Sequence, residues 1–191
     1  MGVGPLKRAV FLDRDGVLNR AIVREGKPYP PASLEEMEIP AGTAQALHEL
    51  KRHGYVLVVV TNQPDVARGT QSRQMIEAMH AHMGSLLPVD AFYVCFHDDR
   101  EDCPCRKPKP GLLTMAAAGL GIDLAVSYMV GDRWRDVDAG HAAGCRTVWI
   151  DYGYRERGPS APPEARVADL WEAVKYIVEQ SEVGDASAHT G

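Results

Sequence analysis

Apolar positions along the chain fall into short runs that alternate with segments of helical period. Ala9 to Leu12 is an uninterrupted apolar run that ends abruptly in Asp13-Arg14-Asp15-Gly16, as a buried strand does where it emerges into a loop. A polar, proline-bearing stretch from Asn19 to Glu38 follows. Thr43 to His53 carries Leu47 and Leu50 at helical spacing and stops at Gly54, which predicts a first helix. Tyr55 to Val60 is nearly all β-branched or aliphatic and runs into Thr61-Asn62-Gln63-Pro64, which predicts a strand buried on both faces. Met75, Ile76, Met79, Met83 and Leu86 share one helical face, and Ala91 to Phe96 predicts a further short strand. The alternation then repeats. A helix is predicted over Gly111 to Leu120, a strand over Tyr128 to Val130 ending at Gly131-Asp132, a helix over Asp136 to Ala143 and a strand over Thr147 to Asp151. Beyond the Gly/Pro-rich stretch Gly158 to Pro163, the residues Leu170, Trp171, Val174, Ile177 and Val178 predict a closing amphipathic helix, with Ser181 to Gly191 as a loose tail.

Strands separated by helices of this length predict an α/β fold, a parallel sheet with helices on both faces, because a parallel connection needs a crossover. In such sheets ligands bind beyond the carboxyl ends of the strands, and Asp13, Thr61 and Asp132 each sit where a predicted strand runs out. The spacing from Asp13 to Thr61, and from Thr61 to Lys107, holds core elements and loops but no large cap domain. No internal repeat is present.

Composition narrows the classes. At 191 residues, with 45% hydrophobic and 25% charged positions, the chain suits one compact domain, with a core over about 7–180. The formal charge of −5 contains no block of like charges and no basic stripe, so a nucleic-acid partner is not expected. No apolar run approaches the ~20 residues needed to span a bilayer, and the amino terminus lacks a signal peptide's apolar core. A cytoplasmic protein without a membrane partner, and a monomer, is therefore expected. Three of the four cysteines lie between Cys95 and Cys105, which is poor spacing for a disulfide framework, good spacing for a metal, and in keeping with a reducing compartment.

Candidate chemistry gathers at the strand ends. Asp13 and Asp15 are two residues apart in extended backbone, so their side chains leave on the same side. A carboxylate can attack phosphorus and form an aspartyl-phosphate that water later cleaves, the role expected of Asp13. A second carboxyl can protonate the leaving oxygen and then deprotonate the attacking water, the role expected of Asp15. Asp132 would complete a magnesium site, since nearby carboxylates supply the hard oxygen ligands this ion takes. Lys107 and the Thr61 hydroxyl could hold the phosphoryl oxygens as charge shifts in the transition state. Taken singly, Asp-Gly is a common turn, Thr61 a strand-end hydroxyl, Lys107 a surface charge and Asp132 a helix cap. Their order, and their place at successive strand ends, favours the chemical reading.

Phe11-Leu12-Asp13-Arg14-Asp15-Gly16-Val17-Leu18-Asn19, Val60-Thr61-Asn62-Gln63, Cys105-Arg106-Lys107-Pro108 and Val130-Gly131-Asp132 resemble the haloacid dehalogenase-like phosphatases over roughly residues 8 to 155. Within them the chain is most similar to the D-glycero-D-manno-heptose 1,7-bisphosphate phosphatases and the histidinol-phosphate phosphatases. The resemblance implies a Rossmann-like core, magnesium, and hydrolysis of a phosphate monoester. It makes Asp13 the nucleophile, Asp15 the acid/base, and Thr61 and Lys107 the phosphoryl stabilisers. Asp13, Asp132 and the Asp15 carbonyl would hold Mg2+. It also implies that Arg106 and Arg133, and the segment after the threonine with Asn62 and Gln63, contact substrate. Pro64-Asp65 replaces the more usual Ser-Gly there, which leaves the sugar open between a heptose bisphosphate and histidinol phosphate. A non-catalytic phosphate-binding module on the same fold is the alternative from another class. The loop residues Arg20, Arg24, Lys27 and Tyr29 are read chiefly as solvated surface.

Cys95-x-His97-x5-Cys103-x-Cys105 offers three thiols and an imidazole, enough for a closed tetrahedral zinc (Zn2+) site. Four protein ligands leave no open position, so this ion would be structural and would fix the loop that leads into Arg106-Lys107. Related phosphatases carry a similar loop, with proline common at the position of Phe96. Cys145 reads as a small buried residue.

Overall fold

The computed structural model describes residues 5–188. In chain order the elements are β1 (Ala9–Leu12), β2 (Ile22–Arg24), β3 (Lys27–Tyr29), α1 (Thr43–Arg52), β4 (Val56–Asn62), α2 (Arg73–Leu86) and β5 (Ala91–Cys95). They continue as α3 (Gly111–Leu120), β6 (Tyr128–Gly131), α4 (Trp134–Ala143), β7 (Arg146–Ile150), β8 (Ala165–Val167) and α5 (Leu170–Ala188). Six strands form one sheet in the order β5-β4-β1-β6-β7-β8, and every pairing is parallel.

Each central strand is apolar throughout because it is covered twice. Along β1 the side chains alternate between faces. Val10 and Leu12 join Leu47, Leu50, Ile76, Met79 and Ile177 from α1, α2 and α5, while Ala9 and Phe11 join Leu112, Leu113, Ala116 and Ala139 from α3 and α4. The apolar side chains named here are buried on their respective faces. Such coverage fixes the sheet rigidly, so the carboxyl ends of β4, β1 and β6 form a stable rim of three neighbouring strands.

Three expectations are corrected. The stretch from Asn19 to Glu38 is not wholly irregular: β2 and β3 form an antiparallel hairpin in which Ile22 faces Tyr29 and Arg24 faces Lys27. Its turn residues Glu25 and Gly26 both have positive φ, 52° and 78°, the conformation a two-residue hairpin turn requires. An edge strand, β8, pairs with β7 just past the Gly/Pro-rich stretch. The loose tail from Ser181 is instead helix: α5 continues to Ala188, and the Ser181 hydroxyl is buried 2.5 Å from the Tyr55 hydroxyl. Residues 189–191 lie outside the described residues. Among those described, no helix is long and apolar enough to cross a membrane.

Candidate active site

Asp13 continues β1, its N–H donating to the Val130 carbonyl at 3.0 Å. Thr61 lies near the end of β4, and Asp132 follows β6 directly. Because β4, β1 and β6 are neighbours, the three stand on one rim; Asp13 and Thr61 line the main cleft, whereas Asp132 lines an adjoining pocket with Arg133, Trp149 and Tyr154. Lys107 arrives from the loop between β5 and α3 and is almost fully buried. Its ammonium lies 2.9 Å from Asp13 Oδ1 and 2.6 Å from Asp136 Oδ1, and it donates to the Val60 carbonyl at 2.8 Å. Asn62 fixes that loop: its amide donates to the Lys107 carbonyl at 3.0 Å and accepts from the Lys107 N–H at 3.1 Å.

Asp136 is a site residue that the strand-end pattern does not single out, because in the sequence it stands only at the start of a predicted helix. In fact α4 begins two residues earlier, at Trp134, and Asp136 stands in its first turn, where Oδ2 accepts from the Arg133 N–H at 3.0 Å. The available signal was a second acidic residue, Asp136, only four positions after Asp132, at the helix start that follows the strand end.

Oxygens of Asp13, Asp132 and Asp136 all lie within 4.8 Å of one another. Burial, then the neighbouring Asp136, pushes the Asp13 carboxyl up to about 6, although Lys107 opposes the shift. Asp132 is driven well above the ordinary carboxylate range, first by burial and then by Asp13 and Asp136, with Tyr154 and Arg133 opposing more weakly. Burial acts against the Lys107 ammonium, but Asp13 and Asp136 outweigh it and raise its pKa. Both carboxylate oxygens of Asp132 are buried without a hydrogen bond of good geometry from any described residue. Three buried, mutually repelling carboxylates that share one lysine, with Asp132 left without a well-formed hydrogen bond, are what a hard divalent cation compensates, so the residues fit magnesium. Gly16, at φ 87°, lets the backbone come this close: a Cβ there would stand 1.9 Å from Asp132 Oδ2.

Asp15 also lines the cleft. Its carboxylate receives four hydrogen bonds, from Arg14 Nε at 3.1 Å, Arg14 Nη2 at 2.9 Å, Asn19 Nδ2 at 3.0 Å and Gln63 Nε2 at 2.9 Å. Gln63 Nε2 also reaches the Thr61 hydroxyl at 2.9 Å. This changes the picture of the segment after Thr61. Gln63 is buried between Asp15 and Thr61 instead of lining the cleft, and the Asn62 amide is committed to Lys107.

The cleft, of about 270 Å³, is bounded by Arg106 and Arg133 and by the β2–β3 hairpin through Lys27 and Tyr29. Neither arginine is unattended. Arg133 is forked onto Glu156, with one contact at 2.9 Å, and Arg106 Nε donates to Asp99 at 2.8 Å. Asp99 also pairs with Arg68 and Arg135, each at 3.2 Å, so one half-exposed carboxylate gathers three guanidinium groups at the mouth. Arg20 and Arg24 turn elsewhere, to Glu38 and to the Tyr29 ring.

The cysteine cluster is compact. Cys95 Sγ lies 3.6 Å from both His97 Nδ1 and Cys103 Sγ, and Cys105 Sγ lies 3.2 Å from Cys95, 3.4 Å from His97 and 3.5 Å from Cys103. A tetrahedron with bonds of about 2.3 Å has edges of roughly 3.7 Å, so the four donors fit one thiophilic ion. Without an ion, burial pushes the Cys95 and Cys105 thiols up, while hydrogen bonds from its neighbours outweigh burial at Cys103 and lower its pKa. Cys145 is buried away from this group, as expected.

Comparison with known proteins bears on this geometry. A family profile described as HAD-hydrolase-like matches residues 104–173. A Pasteurella multocida protein named D-glycero-beta-D-manno-heptose-1,7-bisphosphate 7-phosphatase is 39% identical over 160 residues, covering 78% of this chain and 84% of that one. The chain belongs to the haloacid dehalogenase-like phosphatases. A protein of the same name from Escherichia coli K12 is 37% identical over 175 residues, or 85% of this chain and 86% of its own. Among solved structures of the family, D,D-heptose 1,7-bisphosphate phosphatase from B. bronchiseptica, in complex with magnesium and phosphate, superposes with a TM-score of 0.73. It is 27% identical, and the match covers 91% of this chain and 99% of that one.

Proposed function

We propose that this phosphatase removes the 7-phosphate of D-glycero-D-manno-heptose 1,7-bisphosphate through an aspartyl-phosphate on Asp13, with magnesium at the acid cluster and zinc at the thiol cluster. The single observation that carries the reading is the pairing of a buried lysine with Asp13 beside Asp132, whose carboxylate oxygens lack donors. The named relatives support the choice of substrate.

An oxygen of Asp13 attacks phosphorus as the bond to the sugar oxygen breaks, and Asp15 supplies the proton that the departing alkoxide takes up. Water then attacks the acyl phosphate. Asp15 accepts its proton, inorganic phosphate leaves, and Asp13 is restored as a carboxylate. Lys107 and the Thr61 hydroxyl donate to the phosphoryl oxygens, and Asp136 holds the Lys107 ammonium in reach from the opposite side. Asp13, Asp132 and the Asp15 carbonyl would hold Mg2+, which when bound supplies charge neutralisation to the phosphoryl group. Cys95, His97, Cys103 and Cys105 would hold Zn2+ and so fix the loop carrying Arg106 and Lys107. Arg106, with Arg133, faces the rest of the substrate.

The test compares kcat/KM on heptose 1,7-bisphosphate, histidinol phosphate and simple sugar phosphates, with and without magnesium. A preference of at least ten-fold for the heptose bisphosphate is expected. A preference for histidinol phosphate would reassign the substrate. Turnover by Asp13→Asn at the wild-type rate would overturn the nucleophile assignment.

A further inference from the structure

Arg14 sits between the two acids of the site but does not face the cleft. It is fully buried, 0% exposed, and points back into the α2 side of the core. Nε and Nη2 fork onto the two oxygens of Asp15 at 3.1 Å and 2.9 Å. Nη1 turns the other way, 3.3 Å from His80 Nε2 and 3.8 Å from the Met79 sulfur. His80 is fixed in turn by stacking on Phe92, ring centroids 4.8 Å apart at 17°. Burial, then the Arg14 charge, lowers the His80 pKa to about 4, so near neutrality the ring lends a lone pair to the guanidinium without a competing charge. The Arg14 carbonyl also accepts from Leu18 N–H at 2.9 Å and Asn19 N–H at 3.1 Å, closing the turn that delivers the Asn19 amide to Asp15.

A long buried cation is retained only where its partner and geometry compensate for desolvation. Two parallel N–H···O bonds fix the plane of a carboxylate as well as its position, which one lysine bond cannot do. We propose that Arg14 is the positioning residue for Asp15, a rigid fork, backed by His80 and Phe92, that holds this carboxylate in the orientation proton transfer needs. The inference rests on Asp15 being the acid/base of the reaction. The Arg14 side chain touches neither substrate nor the phosphoryl group and acts only through Asp15, whereas its backbone N–H, which donates to Asp13 Oδ1 at 2.8 Å, is kept in every substitution.

A positioning role predicts a particular dependence on the leaving group. Departure of an alkoxide needs a proton, whereas p-nitrophenolate leaves without one. Arg14→Met should therefore lower kcat/KM on heptose 1,7-bisphosphate by about 30-fold or more, with kcat taking most of the loss, and on p-nitrophenyl phosphate by less than about 5-fold. Arg14→Lys should recover only part of the loss, because the fork is missing. In an Asp15→Asn background, Arg14→Met should have almost no further effect. Equal losses on both substrates, or an undiminished loss in the Asp15→Asn background, would overturn the proposal.

Should Arg14→Met fail to fold, as circular dichroism would reveal, His80→Phe carries the test. That variant should show the same leaving-group bias at about 3-fold, and an unbiased rate would count against the fork. Failure of the underlying reading looks different: Asp15→Asn itself would then retain wild-type activity on the alkyl phosphate.

Discussion

The acid cluster and the thiol cluster are both gatherings of metal-type donors, yet they are assembled in opposite ways. Asp13, Asp132 and Asp136, with Lys107 among them, come from three separated parts of the chain and meet only because β1 and β6 are neighbours. Cys95 closes β5 and packs with Cys103 in the core, while His97, Cys103 and Cys105 follow it within ten residues, so one strand end and one short loop supply all four donors. The first is a product of folding and holds repelling charge in a preformed rim. The second supplies local order to a loop that has almost no apolar core of its own. Chemistry that must be aimed is thus built on strands, and the cations that assist it hang from a loop that a metal can stiffen.

Changes to the rim should have the largest effects. Asp132→Asn should lower kcat by about 10³-fold at saturating p-nitrophenyl phosphate, while raising the melting temperature in EDTA, because a buried repelling carboxylate is gone. If stability falls in EDTA, the account of Asp132 as an uncompensated charge is wrong. Lys107→Met should cost about 3–5 kcal/mol in urea unfolding, since it strands Asp13 and Asp136 without their cation, and should abolish turnover as well. Denaturation at wild-type urea concentrations would show that the two acids are compensated by something else.

The thiol cluster should respond more gently. Cys105→Ser, or removal of zinc by a strong chelator, should reduce kcat by about 10-fold and sharply increase proteolysis within 96–106, leaving the sheet intact by circular dichroism. Equal collapse of the sheet would erase the distinction between the two regions. The last effect, on stability and not on turnover, concerns neither cluster directly. His80 is held near a pKa of about 4 against an ordinary 6.5, so the native state binds fewer protons than the unfolded chain between those values. Stability should be full above pH 6.5 and fall by up to about 3 kcal/mol as pH drops toward 4. His80→Gln should flatten that slope in thermal melts, and should do so equally in the Cys105→Ser background, since protonation of the thiol cluster's ligands would be a separate acid-sensitive event.

The doubly covered strands were legible in the sequence because burial on both faces leaves little freedom of composition, as Val56–Asn62 illustrates. The β2–β3 hairpin was not, since its three-residue strands are largely exposed and one contains Pro28; the turn pair Glu25-Gly26 was the only cue. The end of α5 was hidden for another reason. Ser181 and Gly184 argue for a tail by local propensity, but a hydroxyl contact to Tyr55, 126 positions away, holds Ser181 in the helix. At the site, the residues that terminate strands could be read directly, because a polar side chain following an apolar run has few other reasons to be there. Orientation could not. Asn62 and Gln63 look like equivalent amides after Thr61, and only the packed structure shows one turned to the Lys107 loop and the other to Asp15. Asp136 escaped notice because its function depends on a lysine 29 residues earlier in the chain.

The close approach at Gly16 sets a boundary for anyone who would reshape this enzyme. A single added methyl would occupy the volume that the Asp132 carboxylate fills, so a library that diversifies the turn after the first acid would lose nearly every member at that codon. The hairpin over 22–29 makes no comparable demand on its exposed side chains. Variation aimed at new substrates is best spent there, with position 16 left untouched.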